Sequence, residues 1–125
     1  MKLLIVDDNA AVRRLIATIL EPVASDIREC EDGAASVAAY REQRPDVVLM
    51  DIRMPALDGI AATRQIRMLD PTAKIVIVTD YDDRHLREAS AAAGATDYTL
   101  KDNLLDLVGL LERLRDNRGF EQSIP

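Results

Sequence analysis

An α/β fold, with a five-stranded parallel sheet and helices on both faces, is the class that this chain predicts. Short aliphatic runs recur along it, each is followed by a stretch with apolar residues at helical spacing, and the connections are brief. Strict alternation of this kind favours parallel strands joined by right-handed crossovers, because each helix must pack back onto the sheet it leaves. At 125 residues there is room for one such domain with a real core, and too little for two.

The first strand is predicted over Lys2 to Val6, a continuous aliphatic run closed by Asp7-Asp8-Asn9 and suited to burial on both faces. Val12, Leu15, Ile16, Ile19 and Leu20 then recur at helical spacing, with Asp8 or Asn9 placed to cap the start and Pro22 after the end. Asp26 to Cys30 is short and more polar, as an edge strand would be. A second helix is predicted over Gly33 to Gln43, with Ala34, Val37, Ala38 and Arg41 along its inner face. Asp46 to Asp51 is the most strand-like run, followed by a loop over Ile52 to Asp58 and a helix from Gly59 to Leu69. Lys74 to Thr79 is another strand of buried type, and Asp82 to Ala93 is an alanine-rich helix with a thin apolar anchor, ended by Gly94. Thr96 to Leu100 reads as the fifth strand, and Leu104, Leu107, Val108, Leu111 and Leu114 form the apolar stripe of a closing helix.

Composition narrows the function classes. Hydrophobic residues make up 48% and charged residues 30%, with no Trp, which is a globular composition with an aliphatic core. The net charge of -6 and pI near 4.7 argue against direct nucleic-acid binding and against an anionic membrane surface. They leave cations and basic protein patches as partners. Cys30 is the only cysteine, expected as a small buried strand residue, so no intrachain disulfide forms. No apolar run is long enough to span a membrane, and the expected location is the cytoplasm.

In open parallel sheets ligands bind beyond the carboxyl ends of the strands, at the point where strand order reverses. Those ends carry Asp7-Asp8 after the first strand, Asp51 after the third, Thr79 after the fourth and Lys101 after the fifth. Gathered carboxylates repel one another unless a hard cation sits among them, and an acid cluster without His or Cys suits Mg2+. Phosphoryl transfer needs an in-line nucleophile and neutralisation of the charge on the equatorial oxygens. Asp51 can supply the nucleophile, Asp7 and Asp8 the metal site, and Lys101 and Thr79 the contacts to phosphoryl oxygens. Singly, each has an ordinary alternative: Asp8 as a helix cap, Thr79 as a strand end, Lys101 as a solvated cation. Their common position at the same end of successive strands is the specific signal.

The motifs LLIVDDN, VVLMDIRMPALDG, IVIVT and GATDYTLK, in this order and spacing, resemble the receiver domains of bacterial two-component response regulators. The resemblance implies a flavodoxin-like sheet of order 2-1-3-4-5, with the receiver domain over residues 1–118 and a tail or linker stub over 119–125. It implies Mg2+-dependent phosphoryl transfer to Asp51 from the phosphohistidine of a histidine kinase or histidine phosphotransfer protein. Asp7 and Asp8 match the family's acidic pair, the main-chain carbonyl of Arg53 its third metal ligand, and Lys101 its lysine. Thr79 and Tyr98 match the hydroxyl and aromatic switch positions, which reshape the surface of the fourth helix, fifth strand and fifth helix. Such a protein catalyses its own phosphorylation and dephosphorylation and acts as a switch rather than an enzyme. Its output is a downstream protein target or an output domain, or a phosphorylation-dependent homodimer. Two positions depart from the common pattern: Asp102 follows Lys101 where many members have proline, and Asp80 follows Thr79 where a small residue is common. An extra acid at Asp80 is expected to slow phosphorylation or alter its lifetime.

Three other readings compete. A flavodoxin-like FMN protein is disfavoured because Asp8-Asn9-Ala10-Ala11 puts a carboxylate where phosphate needs free amides. An aspartate-nucleophile phosphatase would resemble Asp-x-Asp, whereas Asp7 and Asp8 are adjacent. An interaction module signalling without phosphate has only Asp80 in its favour. His85 is expected on the surface, as are Arg84, Arg87 and Asp97, and Leu105 and Leu110 are expected off the main stripe as a dimer or partner face.

Overall fold

The computed structural model describes residues 1–123, with side chains through residue 116. Strands β1 (Lys2–Val6), β2 (Asp26–Cys30), β3 (Val47–Met50), β4 (Ile75–Thr79) and β5 (Asp97–Leu100) alternate with helices α1 (Ala10–Leu20), α2 (Gly33–Gln43), α3 (Gly59–Leu69), α4 (Arg84–Ala93) and α5 (Leu107–Ser123). All pairings are parallel and the order is β2-β1-β3-β4-β5, so strand order reverses beside β1. The expected tail over 119–125 falls among residues whose side chains are outside the description.

Alternate strand residues feed two cores, one on each face. Leu3, Ile5, Leu49 and Val76 pack with Ile16, Leu20, Leu107 and Leu111 under α1 and α5. Leu4, Val6, Met50 and Ile77 pack with Tyr40, Ala62 and Ile66 under α2 and α3. Two covered faces explain why the central strands are apolar throughout rather than alternating. Edge strands β2 and β5 are the polar exceptions, and Cys30 on β2 is only half-buried, because one side of an edge strand has no neighbour.

Four details differ from expectation. The inner face of α2 is Gly33, Ser36, Ala39 and Tyr40, while Ala34, Ala38 and Arg41 are exposed and Val37 is half-buried. Alanines mark no side, so the orientation is decided by Tyr40, whose hydroxyl donates to Asp70 at 2.7 Å. Leu15 is 50% exposed, because α1 buries only Ile16 and Leu20 completely. Leu104 lies in a 3-10 segment, Lys101–Asp106, rather than in the closing helix. Leu110 stands three residues from Leu107 and beside Leu111 in α5, on the buried face of that helix, so it joins the α1/α5 core, while Leu105 in the 3-10 segment is 81% exposed.

Candidate functional site

The carboxyl ends of β1 and β3 meet where the order reverses, and the residues just beyond them form an acid cluster. Carboxylate oxygens of Asp7, Asp8 and Asp51 all lie within 4.8 Å of one another. Asp7 and Asp51 are buried, at 2% and 7% exposure, whereas Asp8 faces solvent. Parallel pairing sets this up: the Asp51 amide donates to the Val6 carbonyl (2.9 Å), which draws the end of β3 level with that of β1.

Lys101 enters from the end of β5, its Nζ 2.8 Å from Asp7 Oδ2, 3.5 Å from Asp51 Oδ1 and 4.0 Å from Asp80 Oδ2. One ammonium thus stands among three acids. Burial opposes its charge, but the hydrogen bond to Asp7 and the charges of Asp51, Asp7 and Asp80 outweigh that and raise its pKa. Asp51 is pushed up to about 6, first by burial and then by repulsion from Asp7. Lys101 and the Ile52 amide, which donates to Asp51 Oδ1 at 2.9 Å, pull the other way without prevailing. Excess negative charge among buried oxygen donors, with no His or Cys nearby in the cluster, fits a hard divalent cation.

The cluster opens into a cleft of about 450 Å³ lined by Asp7, Asp8, Asp51, Arg53, Tyr81 and Lys101, among others. A larger cleft, about 800 Å³, lies at the opposite ends of the strands around Tyr40, Arg44 and Lys74. Its Asp70 is committed to Thr72, Tyr40 and Arg44, which hold its carboxyl at about 2, so it is a structural anchor. The smaller cleft is therefore the one with chemistry.

Of the residues expected at the site, Asp7, Asp8, Asp51, Arg53 and Lys101 converge on this cleft. Thr79 and Tyr98 do not line it. Thr79 is fully buried at the end of β4, its Oγ1 accepting from the Tyr81 amide at 3.3 Å. Tyr98 is half-buried on β5, and its hydroxyl donates to the Tyr81 carbonyl at 2.6 Å. Both thus connect to the cleft through Tyr81. Burial raises the Tyr98 phenol, and the Arg87 guanidinium lies 4.5 Å from its ring centroid while bonding Asp82 at 3.1 Å. His85, Arg84 and Asp97 are exposed, as expected.

Three residues support the site in ways the sequence did not show, although Asn9 was placed there as a candidate helix cap. Asn9 caps α1 through its side chain, and its own amide donates to Asp7 Oδ1 at 2.9 Å. Arg13 on α1 donates to the Asp7 carbonyl at 2.6 Å and pairs with Glu29 at 3.0 Å. Gly59 donates to the Ile52 carbonyl at 2.7 Å and packs so closely on the Asp51 carbonyl that a methyl group would overlap it. Its position after a turn was visible, but its closeness to Asp51 arises only when the loop folds back. The Arg53 guanidinium, further, stacks 4.5 Å from the Tyr81 ring centroid and walls the cleft.

Comparison with known proteins agrees with this arrangement. Residues 3–114 match the family described as the response regulator receiver domain. The chemotaxis protein CheY of Bacillus subtilis is 38% identical over 101 residues, covering 80% of this chain and 84% of that protein. A CheY-like receiver domain protein from Methanospirillum hungatei superposes with a TM-score of 0.89 at 26% identity, over 96% of this chain and 97% of that one. The CheX-CheY-BeF3-Mg2+ complex from Borrelia burgdorferi contains a chain with a TM-score of 0.82 at 26% identity, over 93% of this chain and 87% of that one. With the flavodoxin-like topology and the acid cluster at its switch point, this chain belongs to the receiver domain family of two-component response regulators.

Proposed function

We propose that Asp51 is the phosphoryl acceptor of this receiver domain, which spans residues 1–118, and that its donor is the phosphohistidine of a histidine kinase or histidine phosphotransfer protein. The observation that carries the reading is the trio of Asp7, Asp8 and Asp51 within 4.8 Å, bridged at Asp7 and Asp51 by Lys101. An Asp51 carboxylate oxygen attacks phosphorus in line; the new P–O bond forms as the P–N bond breaks, and its electron pair returns to the imidazole, which takes up a proton. Lys101 can follow the transferred group, since its Nζ already sits between the two buried acids. Asp7, Asp8, Asp51 and the main-chain carbonyl of Arg53 would hold Mg2+, which when bound supplies neutralisation of phosphoryl charge. A structural relative complexed with BeF3 and Mg2+ supports that choice of cation.

In this reading Thr79 and Tyr98 sense the modification. Tyr81 is their common neighbour, so a shift of the Thr79 hydroxyl toward a phosphoryl group would disturb the backbone that Tyr98 holds. The surface of α4, β5 and α5 carries the change to a downstream protein or output domain. The protein acts in the cytoplasm as a switch and turns over no external substrate. A homodimer driven by phosphorylation would use Leu105 as its exposed apolar contact, Leu110 being buried.

Intact-mass measurement after incubation with acetyl phosphate and Mg2+ tests the acceptor. The native chain gains one phosphoryl group and Asp51→Asn gains none. A folded native chain that stays unmodified, with a cognate kinase as well as with the small donor, refutes the proposal.

A further inference from the structure

Arg53 walls two clefts. On one side it faces the Asp51 cleft. On the other it borders a separate depression of about 330 Å³ between α3 and α4, with Ile52, Ile60 and Leu86 as its apolar lining and Arg64 and Asp58 at its edge. Asp58 is already engaged, since its Oδ1 caps α3 by accepting from the Ile60 and Ala61 amides at 2.8 and 2.9 Å. Neither Arg53 nor Arg64 has a carboxylate partner among the described residues; Arg53 is held only by its stack on Tyr81. On a chain of net charge -6, this mouth is locally cationic. Behind the cleft, α3 and α4 each bury a hydroxyl without a hydrogen bond, Thr63 and Ser90.

We propose that the α3–α4 cleft binds a segment of a partner protein that presents apolar side chains next to a carboxylate, and that Arg53 couples this binding to the state of Asp51. The apolar side chains fill the depression over Ile60 and Leu86. The carboxylate pairs with Arg64 and draws Arg53 away from Tyr81, which opens the neighbouring cleft. The coupling half rests on Asp51 being the acceptor, whereas the binding half does not.

The probe is the peptide acetyl-Glu-Leu-Leu-Glu-amide, titrated into isotope-labelled protein and compared with its Gln-Leu-Leu-Gln counterpart. Saturable amide shifts are expected at Ile60, Ala61, Arg64 and Leu86. The neutral peptide, and the Arg64→Ala variant with the acidic one, bind about fivefold or more weakly, the loss expected for one or two solvent-exposed ion pairs. A third depression, of about 190 Å³, is lined by Tyr98, Leu100 and Arg113 among others, and Arg113→Ala there leaves the affinity unchanged. No saturable binding, equal affinity for both peptides, or shifts centred on Tyr98 and Leu100 each overturn the site. Adding fluoroberyllate and Mg2+ then changes the peptide affinity of native protein but not of Asp51→Asn. If fluoroberyllate leaves no bound fluorine signal, the acceptor reading fails and the peptide site stands. If it binds and the affinity stays constant, the coupling through Arg53 is wrong.

Discussion

Replacing Asp51 by Asn should make the cation-free protein more stable at neutral pH, and on the proposed function it should abolish phosphorylation. The folded chain holds the Asp51 carboxyl at about 6, above the ordinary 3.8, because burial and Asp7 oppose its charge. A carboxyl that keeps its proton more tightly when folded favours folding at low pH, and that advantage is lost as pH rises from about 4 through about 6. The gap of roughly two pH units, at about 1.4 kcal/mol each, puts the cost of the charged form near 3 kcal/mol at pH 7. With Asp51 only 7% exposed, solvent screens little of it, and the opposing attraction of Lys101 is already contained in the raised value. Asn keeps the shape and the acceptor for the Ile52 amide, but its buried amide nitrogen needs a partner, at a cost of about 1–2 kcal/mol, so a gain of about 1–2 kcal/mol is expected. Urea denaturation followed by circular dichroism, with a chelator present and pH stepped from about 4 to 8, measures it. The two proteins should be most alike near pH 4, separate between about 4 and 6, and keep a constant difference above that. Saturating Mg2+ should then stabilise the native chain, by about 2.7 kcal/mol at a hundredfold excess over Kd, and stabilise the variant less. An Asn variant that is less stable than native at pH 7 without cation, or a difference independent of pH, would falsify the electrostatic account.

Other expectations concern the frame around that acid. Lys101→Met leaves Asp7 and Asp51 facing each other without an ammonium and should destabilise the cation-free protein by about 3 kcal/mol at pH 7, with less effect near pH 4; equal urea midpoints at the two pH values would contradict this. Gly59→Ala forces a methyl against the Asp51 carbonyl and should lower stability by about 2 kcal/mol or more while slowing phosphorylation by acetyl phosphate, both read on one preparation. Asp80→Asn removes an exposed negative charge 4.0 Å from Lys101 and should speed phosphorylation by an anionic donor about twofold at low salt, an advantage that disappears at high salt. Persistence of that difference in about 1 M salt would mean that Asp80 acts by contact rather than by field.

The three central strands were legible almost to the residue, because a strand covered on both faces must be apolar throughout, and few other segments of this chain are. The site acids were legible for a topological reason: parallel strands put their carboxyl ends on one side, so residues 44 positions apart, Asp7 and Asp51, become neighbours once the alternation is recognised. Helix faces were read less well where the residues were small. Nothing in Gly33 to Gln43 distinguishes Ala39, which is buried, from Ala38, which is exposed; the Tyr40–Asp70 hydrogen bond across to the end of α3 makes that choice. Leu110 was misread because a stripe drawn through Leu104, Leu107, Val108, Leu111 and Leu114 passes it over, although it stands three residues from Leu107 in the same helix and shares its face.

The sequence by itself determined the fold class, the strand order through its family motifs, and the identity of the acids, hydroxyl and amine at the strand ends. Those depend on residue type and spacing, which local chemistry and chain connectivity constrain. Only the tertiary structure decided which acids are buried, that Lys101 leans on Asp7 more closely than on Asp51, and that Arg53 stacks on Tyr81 between two clefts. Burial and charge–charge distance arise when elements distant in sequence pack together. They set the protonation of Asp51, which residue type alone would place at the ordinary carboxylate value.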